Sequence, residues 1–170
     1  MVEVIRDFEA ESGEDENSYK WSHDGQYLAK KFYTEVEVQG KMKIKEGVSV
    51  YCLPSMQLLA NKDGLKKSIT VDGITDWMWC PHKHLIVYTA FFKEEEEGKQ
   101  KLEPKIGFLK IPERRVVDQK LMKNSESLQL VMHPQGFYLG VINQYRAKKT
   151  KQYSVELFDL NSATDMVPHQ

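Results

Sequence analysis

The sequence predicts an all-β fold: a WD-repeat-like β-propeller of which about three four-stranded blades are present, an incomplete ring. Three observations predict it. A turn-centred unit recurs three times along the chain. The apolar runs are short, rich in Val, Ile, Tyr and Phe, and bounded by Gly, Pro, Asn or Asp, which is strand rather than helix patterning. The repeat period exceeds fifty residues with four strand-like segments per unit, the signature of sheets stacked around an axis.

The first element of each unit is a bulky apolar residue, a polar turn and an apolar run. Trp21 leads through Ser22-His23-Asp24-Gly25 into Tyr27 and Leu28. Trp79 follows Trp21 by 58 residues and leads through Cys80-Pro81-His82-Lys83 into Leu85 and Ile86. Met132 follows Trp79 by 53 residues and leads through His133-Pro134-Gln135-Gly136 into Tyr138 and Leu139. Gly25 and Gly136 hold the same place in the turn, and Lys83 takes it in the middle copy. Residues 85–92 are apolar without alternation, which suits a strand covered on both faces.

The second element is a strand and turn at residues 48–55, 106–113 and 155–162, stopping at Pro54, Pro112 and Asn161. Weaker strands follow at 56–59 and 116–118. The units therefore divide as 18–72, 73–124 and 125–170, after an acidic lead-in over 1–17 that reads as flexible. Propellers close with about 4–8 blades, so three units read as a piece of a larger protein. End blades then expose apolar sheet, because each blade is covered only by its neighbours.

Long insertions separate the second and third strands of each unit. Residues 33–47 carry Lys41, Lys43 and Lys45, residues 93–105 carry the run Glu94 to Glu97, and residues 146–152 carry Arg146, Lys148, Lys149 and Lys151. They read as loops at hairpin tips, all on one rim. Insertions on one face of a repeat array often form its binding face.

Composition narrows the function. The chain has 170 residues, 29% of them charged, with a net charge of −1, so it is not polybasic overall and any nucleic-acid contact is local. Its two cysteines, Cys52 and Cys80, are too few for a disulfide framework. No apolar window long enough to span a membrane occurs, and the acidic start lacks a secretory pattern; the reading is an intracellular protein. No phosphate-binding glycine loop, nucleophile elbow or zinc-protease helix motif is present.

The remaining motifs have plain readings. His23-Asp24 sits in a hairpin turn that recurs in degenerate form, unlike a catalytic dyad. Cys80, His82 and His84 have metal-ligand chemistry, but no second Cys/His cluster lies near in sequence to complete four ligands. No catalytic, cofactor-binding or metal-ligating residue is assigned, and no cofactor is expected. Trp21, Trp79 and Met132 read as equivalent repeat-core anchors, with Trp77 on the same sheet face as Trp79. Arg146, Lys148, Lys149 and Lys151 are the best candidates for phosphate contact, since flexible cations gain affinity by releasing counterions from a nucleic-acid backbone. Arg114 and Arg115 are weaker candidates. The glutamate run reads as a solvated loop, or one that meets a basic tail.

An ordered series of segments adds a more specific likeness. Residues 19–29 with Trp21, Asp24 and Gly25, residues 48–59 with Tyr51, Pro54 and Ser55, residues 66–69 and 73–81 with Trp77, Trp79 and Pro81, residues 111–117 with Pro112, and residues 145–158 with the basic hairpin form this series. In register, they resemble the propeller region of the family formed by the B subunit of eukaryotic translation initiation factor 3. The likeness covers roughly residues 19–168. Met132 stands where that family usually has tryptophan. Eukaryotic translation initiation factor 2A, another propeller protein, has a similar turn pattern and is the runner-up.

The resemblance implies a non-catalytic cytoplasmic scaffold. Its partners would be the other subunits of initiation factor 3 and the small ribosomal subunit, with Arg146, Lys148, Lys149 and Lys151 as the candidate contacts to ribosomal RNA or a ribosomal protein, and with no membrane and no small-molecule substrate. The family's RNA-recognition domain and its C-terminal helix that binds another subunit are not recognisable here. The alternative is a protein-interaction propeller outside translation.

Overall fold

The computed structural model describes residues 19–96, 99–122 and 124–161, with side chains described outside 92–103. The acidic lead-in and Glu97 lie outside the described residues. Every described element is a strand, and each sheet is antiparallel. The first sheet contains β1 (Tyr19–Trp21), β2 (Tyr27–Val38), β3 (Lys41–Cys52) and β4 (Gln57–Leu58), with β5 (Ile69–Thr70) on the far part of β3. The second is β6 (Ile74–Trp79), β7 (Leu85–Glu96), β8 (Lys99–Lys110) and β9 (Arg115–Leu121). The third is β10 (Ser125–Met132), β11 (Tyr138–Ala147) and β12 (Thr150–Asp159). The predicted four-strand pattern is met in the second sheet, while the third has three described strands.

The sheets stack in chain order, as propeller blades do. Alternation along β7 shows how. Ile86, Tyr88 and Ala90 enter a core with Ala29, Val48 and Val50 of the first sheet, whereas Leu85 and Val87 enter a core with Leu130, Leu139 and Val141 of the third. Successive side chains on a strand point to opposite faces, so the unbroken apolar run is a strand covered twice. Burying each Val, Leu or Ile side chain among these contributes roughly 1.5–3 kcal/mol.

Gly107 lies opposite Tyr88 in the β7–β8 register. A Cβ there would sit 2.1 Å from the Tyr88 ring, so the glycine makes the room that the ring occupies. Where β6 bulges between Ile74 and Asp76, the fully buried Thr89 hydroxyl accepts the Asp76 N–H at 3.2 Å and pairs with the Thr75 hydroxyl at 2.8 Å. Irregular backbone is thereby satisfied inside the sheet.

Polar staples fasten sheet to sheet. Trp79 Nε1 donates to the Lys20 carbonyl at 2.9 Å, and the Lys20 and Lys31 ammonium groups donate to the Trp77 and Ile74 carbonyls at 2.5 and 2.7 Å. Arg114, in the β8–β9 turn, donates to the carbonyls of Leu59, Lys67 and Ser68 at 2.6, 2.6 and 3.2 Å. Partial burial lowers the pKa of its guanidinium. Lys83 reaches the Leu160 carbonyl at 2.6 Å, joining the second sheet to the third.

The three equivalent turns have one length and two shapes. Ser22, Cys80 and His133 each donate a backbone N–H to the carbonyl five residues on. The left-handed residue is Gly25 in the first and Gly136 in the third, but His82 in the second, one place before Lys83. Gly136 is doubly required: its φ is +67°, and a Cβ would come within 2.4 Å of the Pro81 carbonyl oxygen of the second sheet.

Two expectations are corrected. Over their described residues, the insertions at 33–47 and 93–105 are not loops. They are strand extensions that pair continuously from Tyr27↔Cys52 to Val38↔Lys41 and from Leu85↔Lys110 to Glu96↔Lys99. Polar and charged residues continue a ladder once its apolar base is formed, because the backbone bonds do not depend on side-chain type.

The second correction concerns Trp21, which is 54% exposed, whereas Trp79 is 8% exposed and Met132 packs on the core between the second and third sheets. Trp21 pairs with Leu28, Trp79 with Ile86 and Met132 with Leu139, so all three keep the same place in their sheets. Each faces the preceding sheet. The first sheet covers Trp79 and the second covers Met132, but no described sheet precedes Trp21.

Candidate functional site

The β11–β12 hairpin carries the basic cluster. Its ladder runs from Tyr138↔Asp159 to Ala147↔Thr150, leaving Lys148-Lys149 as a two-residue turn. Both lysines have positive φ, 56° and 108°. Two-residue hairpin turns prefer Asn-Gly or Gly at such positions, since a Cβ is disfavoured there. The Thr150 hydroxyl closes the turn by donating to the Ala147 carbonyl at 2.8 Å. Lys148, Lys149 and Lys151 are exposed. Arg146 lies directly opposite Lys151, and its Nε is 3.0 Å from Glu126 of β10. The structure thus brings all four predicted cations together at one tip, all of them exposed, with Arg146 paired to Glu126.

Strand parity extends this tip into a larger face. Arg146, Gln144, Ile142, Gly140 and Tyr138 share one side of β11, and Lys151, Tyr153, Val155 and Leu157 share the same side of β12 through the Arg146↔Lys151 and Ile142↔Val155 pairs. Tyr153, Val155 and Leu157 are 63, 63 and 76% exposed, and Val131 of β10 joins them at 47%. The side is apolar near its base and basic at its tip. Sequence reading missed this continuation. The alternation over 153–157 marks two faces, but which of them a neighbouring sheet covers depends on packing.

The other basic residues divide. Lys41, Lys43 and Lys45 are exposed on the β2–β3 arm, whose turn is Gln39-Gly40 with φ of 53° and 73°. Arg115 is exposed. Arg114 is committed to the three carbonyls above and is a sheet-to-sheet staple rather than a surface cation. Glu94, Glu95 and Glu96 lie in β7, so the glutamate run belongs to a paired strand as far as Glu96.

At the opposite end of the strands, the turns that precede β2 and β7 meet. His84 Nε2 is 2.8 Å from Asp24 Oδ2, and the His23 and His84 ring centres are 5.2 Å apart. Residues distant in sequence are brought together because the two turns are equivalent in adjacent sheets; that equivalence is the signal by which they could have been paired. Burial alone would raise the Asp24 carboxyl, but hydrogen bonds from the Gln26 N–H, the Ser22 hydroxyl and His84 bring it down to about 2. Cys80, fully buried between the second and third sheets, has its thiol pKa raised by desolvation and is no reactive thiolate.

No protein-family profile matches the chain. Among curated proteins, the B subunit of eukaryotic translation initiation factor 3 from Cryptococcus neoformans var. neoformans serotype D is 29% identical over 147 residues, covering 79% of this chain and 17% of that protein. Its counterpart from Mycosarcoma maydis is 28% identical over 159 residues, covering 82% and 18%. That of Xenopus laevis is 29% identical over 136 residues, covering 80% and 16%. This chain is similar to the B subunit of eukaryotic translation initiation factor 3. It spans about 17% of the length of the first of these relatives. A solved structure described as a eukaryotic initiation factor aligns over 80% of this chain and 40% of that one, at 17% identity and a TM-score of 0.38.

Proposed function

We propose that this chain is a non-catalytic β-propeller scaffold of the B subunit of translation initiation factor 3, and that its basic β11–β12 tip helps dock the factor on the small ribosomal subunit. The observation that carries the reading is the placement of Lys148 and Lys149. Both occupy left-handed turn positions that asparagine or glycine would fill at lower cost. The turn does not need lysine, so the charge is there for something outside the fold.

Lys151 and Arg146 widen the cationic tip, and Tyr153 beside it offers a ring on which a base or a side chain can stack. Tyr153 adds shape to a contact that charge alone would leave non-specific. Other subunits of initiation factor 3 are the proposed neighbours of the apolar part of the face, and the cytoplasm is the proposed compartment.

The test replaces Arg146, Lys148, Lys149 and Lys151 with glutamine and measures binding to small ribosomal subunits across a salt series. The expected result is weaker binding and a shallower slope of log K against log salt, by about 0.7–0.9 for each phosphate no longer neutralised. An unchanged affinity and slope would remove these residues from the interface. Purification of the tagged chain adds a second check: recovery of initiation factor 3 subunits and small ribosomal subunits supports the scaffold role, and their absence opposes it.

A further inference from the structure

The end of the sheets opposite the basic tip carries a cluster that the docking role does not use. His23, Asp24 and His84 present ligand atoms that all lie within 4.8 Å of one another. We propose that these three side chains form a site for a divalent transition metal of the zinc type, one that clamps the first sheet to the second. The inference does not rest on the docking reading.

Three features argue for a built site rather than a chance contact. First, the carboxylate is oriented from behind. Asp24 Oδ1 accepts from the Ser22 hydroxyl at 2.8 Å and from the Gln26 N–H at 3.1 Å, which leaves Oδ2 facing His84. Outer hydrogen bonds of this kind hold a metal-ligating carboxylate in place. Second, His84 is fixed. The Ile111 N–H donates to its carbonyl at 2.9 Å, and its ring stands edge-on to Tyr27 at 4.9 Å. Third, His23 is exposed and can swing toward the pair, its ring already 5.2 Å from that of His84.

The geometry needs little change. Zinc–nitrogen bonds of about 2.0–2.1 Å in a tetrahedron place ligand atoms about 3.3 Å apart. Asp24 and His84 would open slightly from 2.8 Å, and His23 would close by an ångström or so from its present reach. Two imidazoles and one carboxylate favour Zn²⁺ over Mg²⁺ or Ca²⁺, which take oxygen ligands. Water fills the remaining coordination position.

A metal held there would tie the 22–26 turn of the first sheet to the start of β7 in the second. The Asp24–His84 pair already joins the two sheets at that point.

The experiment titrates the metal-stripped full chain with Zn²⁺ in a calorimeter, and separately with Mg²⁺. One Zn²⁺ per chain and no Mg²⁺ heat are expected. His23→Gln, Asp24→Asn and His84→Gln should each weaken Zn²⁺ binding at least tenfold, and His133→Gln, in the third sheet, should leave it unchanged. Zn²⁺ should raise the thermal midpoint of the parent chain and leave that of the His23→Gln/His84→Gln double variant where it was. Absent Zn²⁺ binding, equal binding of Mg²⁺, or Zn²⁺ affinity untouched by His23→Gln would overturn the proposal. His23 is exposed and lies in no core cluster, so that variant decides the matter even where His84→Gln fails to fold.

Discussion

The second and third sheets are built from the same kinds of residue and end in different environments. In the second, both faces are covered: Ile86 and Val87 point opposite ways and both have 0% exposure. In the third, Leu139 and Val141 on one face are as deeply buried, while Val155 and Leu157 on the other stand 63 and 76% exposed. The chemistry of a strand therefore does not decide its burial. The neighbouring sheet does, and a blade supplies only half of each core it takes part in. The outer face of the first sheet shows a third outcome. There Leu28, Tyr51 and Met56 bury one another with help from Tyr19, Leu53 and Leu58, yet Trp21 on the same face stays exposed.

The sharpest way to break this comparison is at the repeated aromatic position. Trp79→Ala should cost about 3–5 kcal/mol, the usual range for emptying a buried aromatic site. Trp21→Ala, at the equivalent place with no described sheet against it, should cost less than about 1 kcal/mol. Urea unfolding of the two variants measures both. Equal losses would mean that sequence position, not the adjoining sheet, sets the energetics.

A smaller effect is expected within the second sheet. Gly107→Ala places a methyl against the Tyr88 ring in a layer covered on both sides and should cost about 1–3 kcal/mol. Gly140, the glycine of the third sheet's outward face, has no atom closer than 3.5 Å to an added Cβ, so Gly140→Ala should be nearly neutral. Combining Gly107→Ala with Tyr88→Leu should recover part of the first loss, which a double-mutant cycle would show.

The smallest effect concerns the junction of the first and second sheets. The Asp24 carboxyl titrates near 2, below its ordinary 3.8, so its ionised form stabilises the fold. That contribution is complete above the ordinary value and is lost as pH falls from about 4 through about 2. In chelator-containing buffer, Asp24→Asn should therefore show a shallower fall in thermal midpoint over that window than the parent chain.

The strand pattern was legible because apolar runs, turn residues and the repeat all pointed the same way. The register of Trp21, Trp79 and Met132 could be read for the same reason, and the structure keeps it. Their burial could not be read, since it depends on which sheet lies opposite. The long arms resemble loops in sequence for a related reason. Lys41, Lys43 and Lys45 look like loop composition, but a hairpin ladder extends through charged residues when its base is anchored. The basic tip was visible as a charge run, whereas Tyr153, Val155 and Leu157 join its face only through cross-strand register. The His23–Asp24–His84 cluster was hidden because His84 lies sixty residues beyond the adjacent His23 and Asp24 and meets them only across two stacked turns.

Hydrogen exchange of the central strands tests the stacking account most directly. β7 and β11 each pair with a strand on both sides, so their backbone bonding is alike. They differ in that, among the described residues, the sheet of β7 is covered on two faces and that of β11 on one. The amides of Val87 and Tyr88 should exchange by global unfolding only, and those of Ile142 and Asn143 should exchange faster, by opening of the third sheet alone. Equal protection in the two strands, or greater protection in β11, would contradict the claim that neighbouring sheets decide where this fold is stable.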